Sequence, residues 1–229
     1  MKEGRSDQKL KLLELFAGSC SVGKVAKSLD MDVFSVDVKP FDGVDLVADI
    51  EFLQPSDIPF QPDIIWASIP CTTYSMAGIS HHRESGVPIS DFAMKSDRLS
   101  VHTLDLIRYY NCIYFIENPR GYLRKMPFMR GIPRTTVWYC RYGDFRAKPT
   151  DIWSNHLYSI FNTDGWQSRP QCFNGNVNCH HEKAPRGTNS GTQGQSGNYK
   201  RSILPPDLCL EILQSVVGAY GTRQQLMVN

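Results

Sequence analysis

Two side chains in this 229-residue chain, the thiol of Cys71 and the carboxyl of Glu117, are of types that do covalent and proton-transfer chemistry when held correctly. Cys71 follows Pro70 just beyond the apolar run 63–68, in a segment rich in Thr and Ser. A single cysteine is most often a small core hydrophobe; as a nucleophile it needs a thiolate favoured by nearby positive charge or oriented backbone amides. Glu117 closes a second apolar run, 112–116, and precedes Asn118-Pro119. A carboxylate there either caps the next turn or serves as an acid–base group. Three more carboxylates, Glu14, Asp37 and Asp49, stand in or at the ends of other short apolar runs. They suit hydroxyl and amino groups better than phosphates, and Phe16-Ala17-Gly18 lacks the later glycines of a pyrophosphate-binding G-x-G-x-x-G turn. A nucleoside without phosphates fits such a set.

The elements that must position these groups alternate in type. Residues 11–16 read as a strand and 17–21 as a tight turn, after which Val22, Val25, Ala26 and Leu29 recur at helical spacing. Residues 33–36 and 46–48 are short strands stopped by Asp37 and Asp49. The continuous apolar runs 63–68 and 112–116 are of the kind buried on both faces of a parallel sheet, and Leu99, Thr103, Leu106, Ile107 and Tyr110 form a helical stripe within 96–110. Residues 72–95 show no sustained period and are expected as a long loop. Strands alternating with helices predict right-handed βαβ units and an open parallel sheet whose ligands bind at the strand carboxyl ends. Beyond these come short strands at 135–141 and 150–154, then a polar stretch from Asn174 to Tyr199, expected as a mobile loop. A closing helix carries Leu208, Ile212, Leu213, Val216 and Val217 and is expected to end near Gly218 or Gly221.

Composition sets the outer bounds. With 41% hydrophobic residues the chain can bury one core of its own, which excludes a disordered or collagen-like protein. The net charge of +2 neither demands nor excludes a nucleic-acid partner. Seven cysteines without even spacing, and an N-terminus with charges and no apolar stretch behind them, disfavour a secreted disulfide framework. No run approaches the ~20 apolar residues that span a bilayer. The expectation is a cytoplasmic protein with no membrane partner, most simply a monomer.

The ordered set Leu13-Glu14-Leu15-Phe16-Ala17-Gly18, Pro70-Cys71 and Glu117-Asn118-Pro119, each at a strand end, resembles the cytosine-5 DNA methyltransferase family, specifically its short phage-type members. The resemblance covers about residues 11 to 153. It implies a Rossmann-like α/β fold and S-adenosylmethionine as cofactor, lined by Phe16, Ala17, Gly18, Ser19 and Pro70, with Asp37 and Val38 at the ribose and Asp49 and Ile50 near the adenine. It further implies DNA as partner, Cys71 as the nucleophile adding to C6 of a flipped cytosine, and Glu117, beside Asn118, as the acid holding N3. Of the family's Gln-x-Arg-x-Arg element only two cations are carried across, Arg146 and Lys148, as contacts to the flipped nucleotide. The setting would be the cytoplasm of a bacterium or a phage-infected host.

In this reading residues 9–153 form the catalytic, cofactor-binding domain, 154–202 a reduced, irregular target-recognition appendage, and 203–221 a helix packing back on the catalytic domain. Arg169, Lys183, Arg186, Lys200 and Arg201 would track the nucleic-acid backbone. Cys172, Cys179, His180 and His181 invite a zinc reading, but the spacing is irregular and holds one short pair where closed zinc sites usually show two, so no metal is expected. Two rival functions stay open: C5 modification of RNA or of a free pyrimidine nucleotide, and nucleic-acid binding without catalysis.

Overall fold

The computed structural model describes residues 9–173, 175–182 and 197–228. Its central sheet is built from β1 (Lys11–Leu15), β2 (Asp32–Asp37), β3 (Leu46–Val47) and β4 (Ile64–Ser68). After a small hairpin of β5 (Arg83–Glu84) and β6 (Val87–Pro88), the sheet is completed by β7 (Ile113–Pro119), β8 (Arg134–Trp138) and β9 (Pro149–Ser154). The strand order is β3-β2-β1-β4-β7-β9-β8. The first five strands are parallel, β9 runs antiparallel to β7, and β8 antiparallel to β9. The chain works outward from β1 to β3, then restarts on the other side of β1 with β4. The crevice at the carboxyl ends of β1 and β4 is therefore the topological switch point where such sheets bind ligands.

Helices cover both faces: α1 (Ser21–Ser28), the short α2 (Ile79–His82), α3 (Asp91–Tyr110), the short α4 (Asn198–Ser202) and α5 (Pro206–Val228). The two-residue period of the strands sorts the core. Leu13, Leu15, Ile65, Ala67 and Ile116 pack with Leu99, Leu104 and Ile107 of α3. Leu12, Ile64, Trp66 and Phe115 pack with Val22 and Ala26 of α1 and with Leu208, Ile212, Leu213 and Val216 of α5. Burial of both faces is what makes these strands read as unbroken apolar runs. The same period puts Glu14, two residues after Leu12, and Glu117, two after Phe115, on the α1 and α5 side.

Several elements depart from the sequence reading. Residues 72–95 are not one loop: they hold α2, the β5–β6 hairpin and the start of α3. Fastening this segment is Arg83, buried, whose guanidinium pairs with Asp97 and whose Nε donates to the Thr73 carbonyl at 3.0 Å. Tyr74 donates to the same Asp97 at 2.7 Å. Helix α3 begins earlier than its apolar stripe because Ser90 Oγ accepts from the Ala93 amide at 3.2 Å. β8 stops at Trp138, where a tight turn, Tyr139–Tyr142, takes over. α5 passes through Gly218 and Gly221 to Val228; a helix tolerates an interior glycine at about 1 kcal/mol each. Lys183, Arg186 and most of the polar stretch expected to be mobile lie outside the described residues. Among those described, no helix is long and apolar enough to cross a membrane.

Candidate active site

At the end of β1 the chain makes a turn with three left-handed residues, Phe16 (φ 57°), Gly18 (φ 51°) and Cys20 (φ 51°). The Ala17 amide donates to the Val36 carbonyl at 3.1 Å, and the Gly18 amide to Asp37 Oδ2 at 2.9 Å. Asp37 Oδ1 accepts from the Lys39 amide, also at 2.9 Å. A carboxylate offers about four acceptor positions, so this one retains capacity for a pair of vicinal hydroxyls. Ser19 is buried, with its Oγ 2.6 Å from Ser21 Oγ. Val38 is exposed past β2, whereas Ile50 is part of the core. Asp49 caps the single turn Ile50–Phe52 through the Glu51 amide and pairs with Lys95. Glu14 is spent locally: Oε1 accepts from the Val22 amide at 3.2 Å and Oε2 from Ser35 Oγ at 2.8 Å. It does for α1 what Cys20, which makes no side-chain cap, does not. A Cβ on Gly23 would lie 2.6 Å from Glu14 Oε2, so any larger residue at that position must displace the carboxylate.

The other half of the site is organised by β4 and β7, whose register pairs Ser68 with Glu117. Ile69, Pro70 and Cys71 leave the end of β4, and the Cys71 carbonyl accepts from the amides of Tyr74 and Ser75 at 3.0 and 2.8 Å. Asn118, fully buried, donates Nδ2 to the Ile69 carbonyl at 2.7 Å and so ties β7 to the cysteine loop. Its Oδ1 is buried with no hydrogen-bond partner among the described residues. Cys71 is half-buried. Glu117 is buried; Tyr139 donates its hydroxyl to Oε1 at 3.1 Å, and Ser68 supplies a further hydrogen bond. The half-buried Lys148 places Nζ 3.5 Å from the Tyr139 hydroxyl and 4.6 Å from the ring centroid.

Burial dominates the electrostatics. It pushes the Glu117 carboxyl above its ordinary range against the opposing pull of Lys148 and the hydrogen bonds from Tyr139 and Ser68. It also pushes the Cys71 thiol up, with Lys148 working the other way and the Glu117 charge reinforcing the rise. Lys148 is itself lowered by burial, although the negative charges of Glu117 and Cys71 favour its ionised form. A thiol and a carboxyl thus share a low-dielectric surrounding with one ammonium, which favours the charged form of both.

The segment 199–204 lies against Arg146 and Lys148. Arg146, buried, pairs with Asp144 and donates to the carbonyls of Ile203 at 2.8 Å and of Lys200 and Arg201 at 3.4 Å. Lys148 Nζ donates to the Arg201 carbonyl at 2.9 Å, and the Leu204 amide to Ser21 Oγ at 3.3 Å. Tyr199 packs on Phe41 with ring centroids 5.7 Å apart. The cation expected to meet a nucleotide, Arg146, is thus occupied in holding this segment down. Arg169 pairs with Glu211 of α5 and stacks on Tyr142, 4.8 Å from its ring centroid. Sequence reasoning missed Tyr139, which stands in an apolar run with no local mark of its role, and the Arg83–Asp97 pair that anchors the segment after Cys71.

No family model matches the chain. It is 26% identical, over 221 residues spanning 89% of this chain and 99% of the relative, to a probable DNA (cytosine-5)-methyltransferase of Frog virus 3 (isolate Goorha). Among solved structures it is similar to the Entamoeba histolytica methyltransferase EhMeth, with a TM-score of 0.50 and 12% identity, covering 72% of this chain and 58% of that one. A DNMT2 mutant from Spodoptera frugiperda is also similar, with a TM-score of 0.47 and 16% identity, covering 71% of this chain and 55% of that one. The chain therefore spans somewhat more than half the length of the solved structures and nearly all of the viral relative. With this sheet order, these motifs at its strand ends and a viral relative matched almost end to end, the chain has a Rossmann-like α/β fold and is similar to a probable cytosine-5 methyltransferase.

Proposed function

We propose that the protein methylates C5 of cytosine in DNA through a covalent adduct to Cys71, with S-adenosylmethionine as methyl donor. The observation that carries this reading is the register of β4 and β7, which sets Glu117 beside Ser68, three residues ahead of Cys71, with Lys148 acting on both groups. The cofactor would lie against Phe16, Ala17, Gly18, Ser19 and Pro70, with Asp37 and Val38 toward its ribose and Asp49 and Ile50 toward its adenine. The left-handed turn and the spare acceptor capacity of Asp37 suit a phosphate-free nucleoside. The cofactor would supply a methyl group on a positively charged sulfur.

C5 of cytosine is a poor nucleophile. Attack of the Cys71 thiolate forms a sulfur–C6 bond while Glu117 gives its proton to N3, so the electron pair displaced from the C5–C6 bond comes to rest as an enamine that is nucleophilic at C5. After C5 has gained the methyl group, its proton leaves to solvent, the sulfur–C6 bond breaks and N3 returns its proton to Glu117. Burial favours the acid form of Glu117 that this step needs. Asn118 positions the loop of Cys71, Lys148 favours the thiolate, and Arg146 holds the 199–204 segment in place. A cytosine in a duplex must be flipped out to reach such a site. Residues 154–202 would then serve target recognition and α5 would return to the catalytic domain.

Incubating the protein with S-adenosylmethionine and duplex DNA containing 5-fluorocytosine is expected to leave a covalent adduct on Cys71, because fluorine cannot leave as the C5 proton does. Cys71→Ala is expected to abolish the adduct and to lower methyl transfer to unmodified DNA by at least about 10³-fold. Transfer by Cys71→Ala within tenfold of the parent refutes the nucleophile. Adduct formation on RNA but not on duplex DNA moves the substrate to RNA.

A further inference from the structure

Beyond β8 a second group of reactive side chains comes together, away from Cys71. Cys140, in the turn Tyr139–Tyr142, meets Cys172, Cys179 and His181, and the four ligand atoms all lie within 4.8 Å of one another. Cys172 Sγ is 3.8 Å from His181 Nδ1. A tetrahedral zinc with Zn–S of about 2.3 Å and Zn–N of about 2.0 Å has ligand-to-ligand edges of about 3.5–3.8 Å. The cluster is within a few tenths of an ångström to about one ångström of that geometry throughout. Cys140 and Cys172 are buried, and Trp138 and Ala147 wall the group on the apolar side.

We infer that Cys140, Cys172, Cys179 and His181 form a closed structural zinc site that clips the 172–182 loop onto the turn bearing Tyr139. Three thiolates and one imidazole, all from protein and leaving no open position, form a structural rather than a catalytic donor set, and soft sulfur ligands select zinc over magnesium or calcium. The surroundings have the order expected around such a ligand set. Asn176 donates Nδ2 to Cys172 Sγ at 3.4 Å, and the Cys179 amide donates to the Asn176 carbonyl at 3.2 Å, closing a turn between the two loop thiols. His180, the alternative imidazole, is engaged elsewhere, with Nε2 3.0 Å from the Asp144 carbonyl, and the Glu182 amide donates to the Phe145 carbonyl at 2.9 Å. Metal at this point therefore joins the loop to the stretch that carries Tyr139 and the Asp144–Arg146 pair. Its role is to brace the wall of the pocket from behind.

The site stands independently of the methyl-transfer reading, because its test is metal content. Full-length protein, expressed with zinc in the medium and purified under reducing conditions without chelator, is expected to carry about one zinc per chain by mass spectrometry. Cys172→Ser and Cys179→Ser are expected to lower the content at least fivefold, while Cys112→Ser, outside the cluster, leaves it unchanged. Should the serine variants fail to fold, the parent protein decides. Exchange of its metal for Co²⁺ is expected to give the visible bands of a tetrahedral thiolate site. Parent protein that holds less than about a tenth of a zinc per chain and shows no such bands with Co²⁺, or a disulfide between two of the three thiols in its place, overturns the inference.

Discussion

Glu14 on β1 and Glu117 on β7 are the same residue type, both buried, both on the α1 and α5 face of one sheet, and in both burial raises the carboxyl pKa. What separates them is the nature of their partners. Glu14 is surrounded by donors whose only task is structural, the amide of Val22 and the hydroxyl of Ser35, and it completes the start of α1. Glu117 meets the hydroxyl of Tyr139 and the charge of Lys148, groups that are themselves titratable. A buried carboxyl becomes a candidate catalyst when its neighbours are themselves titratable or charged, and a scaffold when they are not.

One substitution made at both positions tests this contrast, and its largest effect falls on Glu117. Glu117→Gln is expected to lower methyl transfer by about 10²–10⁴-fold, since an amide cannot deliver a proton to N3. Its thermal midpoint is expected to equal or exceed the parent's above pH 5. The sign follows from the raised pKa: the stability tied to the neutral carboxyl is complete below the ordinary carboxyl range and is lost as pH climbs through the higher folded value, whereas the amide never ionises. A destabilised Glu117→Gln with near-normal transfer would reverse the roles of the two glutamates.

Gly23→Ala presses a methyl group against the Glu14 carboxylate at 2.6 Å and is expected to cost roughly 1–3 kcal/mol, lowering the melting temperature by several degrees. An unchanged melting temperature would show that Glu14 does not hold α1 as described. A smaller effect concerns Cys71, whose thiol is raised by burial and relieved by Lys148. Alkylation of Cys71, followed by peptide mass mapping, is expected to be slower at pH 7.5 than that of an exposed thiol and to accelerate by up to about tenfold per pH unit. Lys148→Met should slow it further; faster alkylation in that variant would contradict the assigned polarity. The smallest change is expected for Glu14→Gln, because its Oε1 can accept from Val22 and its Nε2 can donate to Ser35 Oγ. Transfer within about tenfold of the parent, measured alongside Glu117→Gln, completes the comparison.

Much of the frame was legible in the residue order. The runs 63–68 and 112–116 read as buried parallel strands, and β4 and β7 are those strands side by side. Pro70-Cys71 and Glu117-Asn118 therefore meet at one end of neighbouring strands as a consequence of topology. Less was legible where the decisive contact is distant in sequence and the local pattern is mute. Residues 72–95 have no sustained period because their order depends on Arg83 reaching Asp97 and Tyr74, not on an amphipathic face. Arg146 and Lys148 were read as contacts to a nucleotide, and no local pattern announced that their donors also reach the carbonyls of 200–203. The thiols at 172 and 179 looked like half a metal site because the ligand that joins them, Cys140, stands beyond an intervening strand in an apolar run.

Alternation of apolar strands and helices, the carboxylates at strand ends and the Pro-Cys and Glu-Asn pairs were determined by the sequence alone, because each rests on interactions between near neighbours or on a two- or 3.6-residue period. Which buried carboxyl met only structural donors and which met Tyr139 and Lys148, which cations reached backbone carbonyls, and which cysteine completed the second cluster were decided only by the tertiary structure. Those outcomes depend on desolvation and on hydrogen-bond partners drawn from remote segments, and no local pattern encodes the direction from which such a partner arrives.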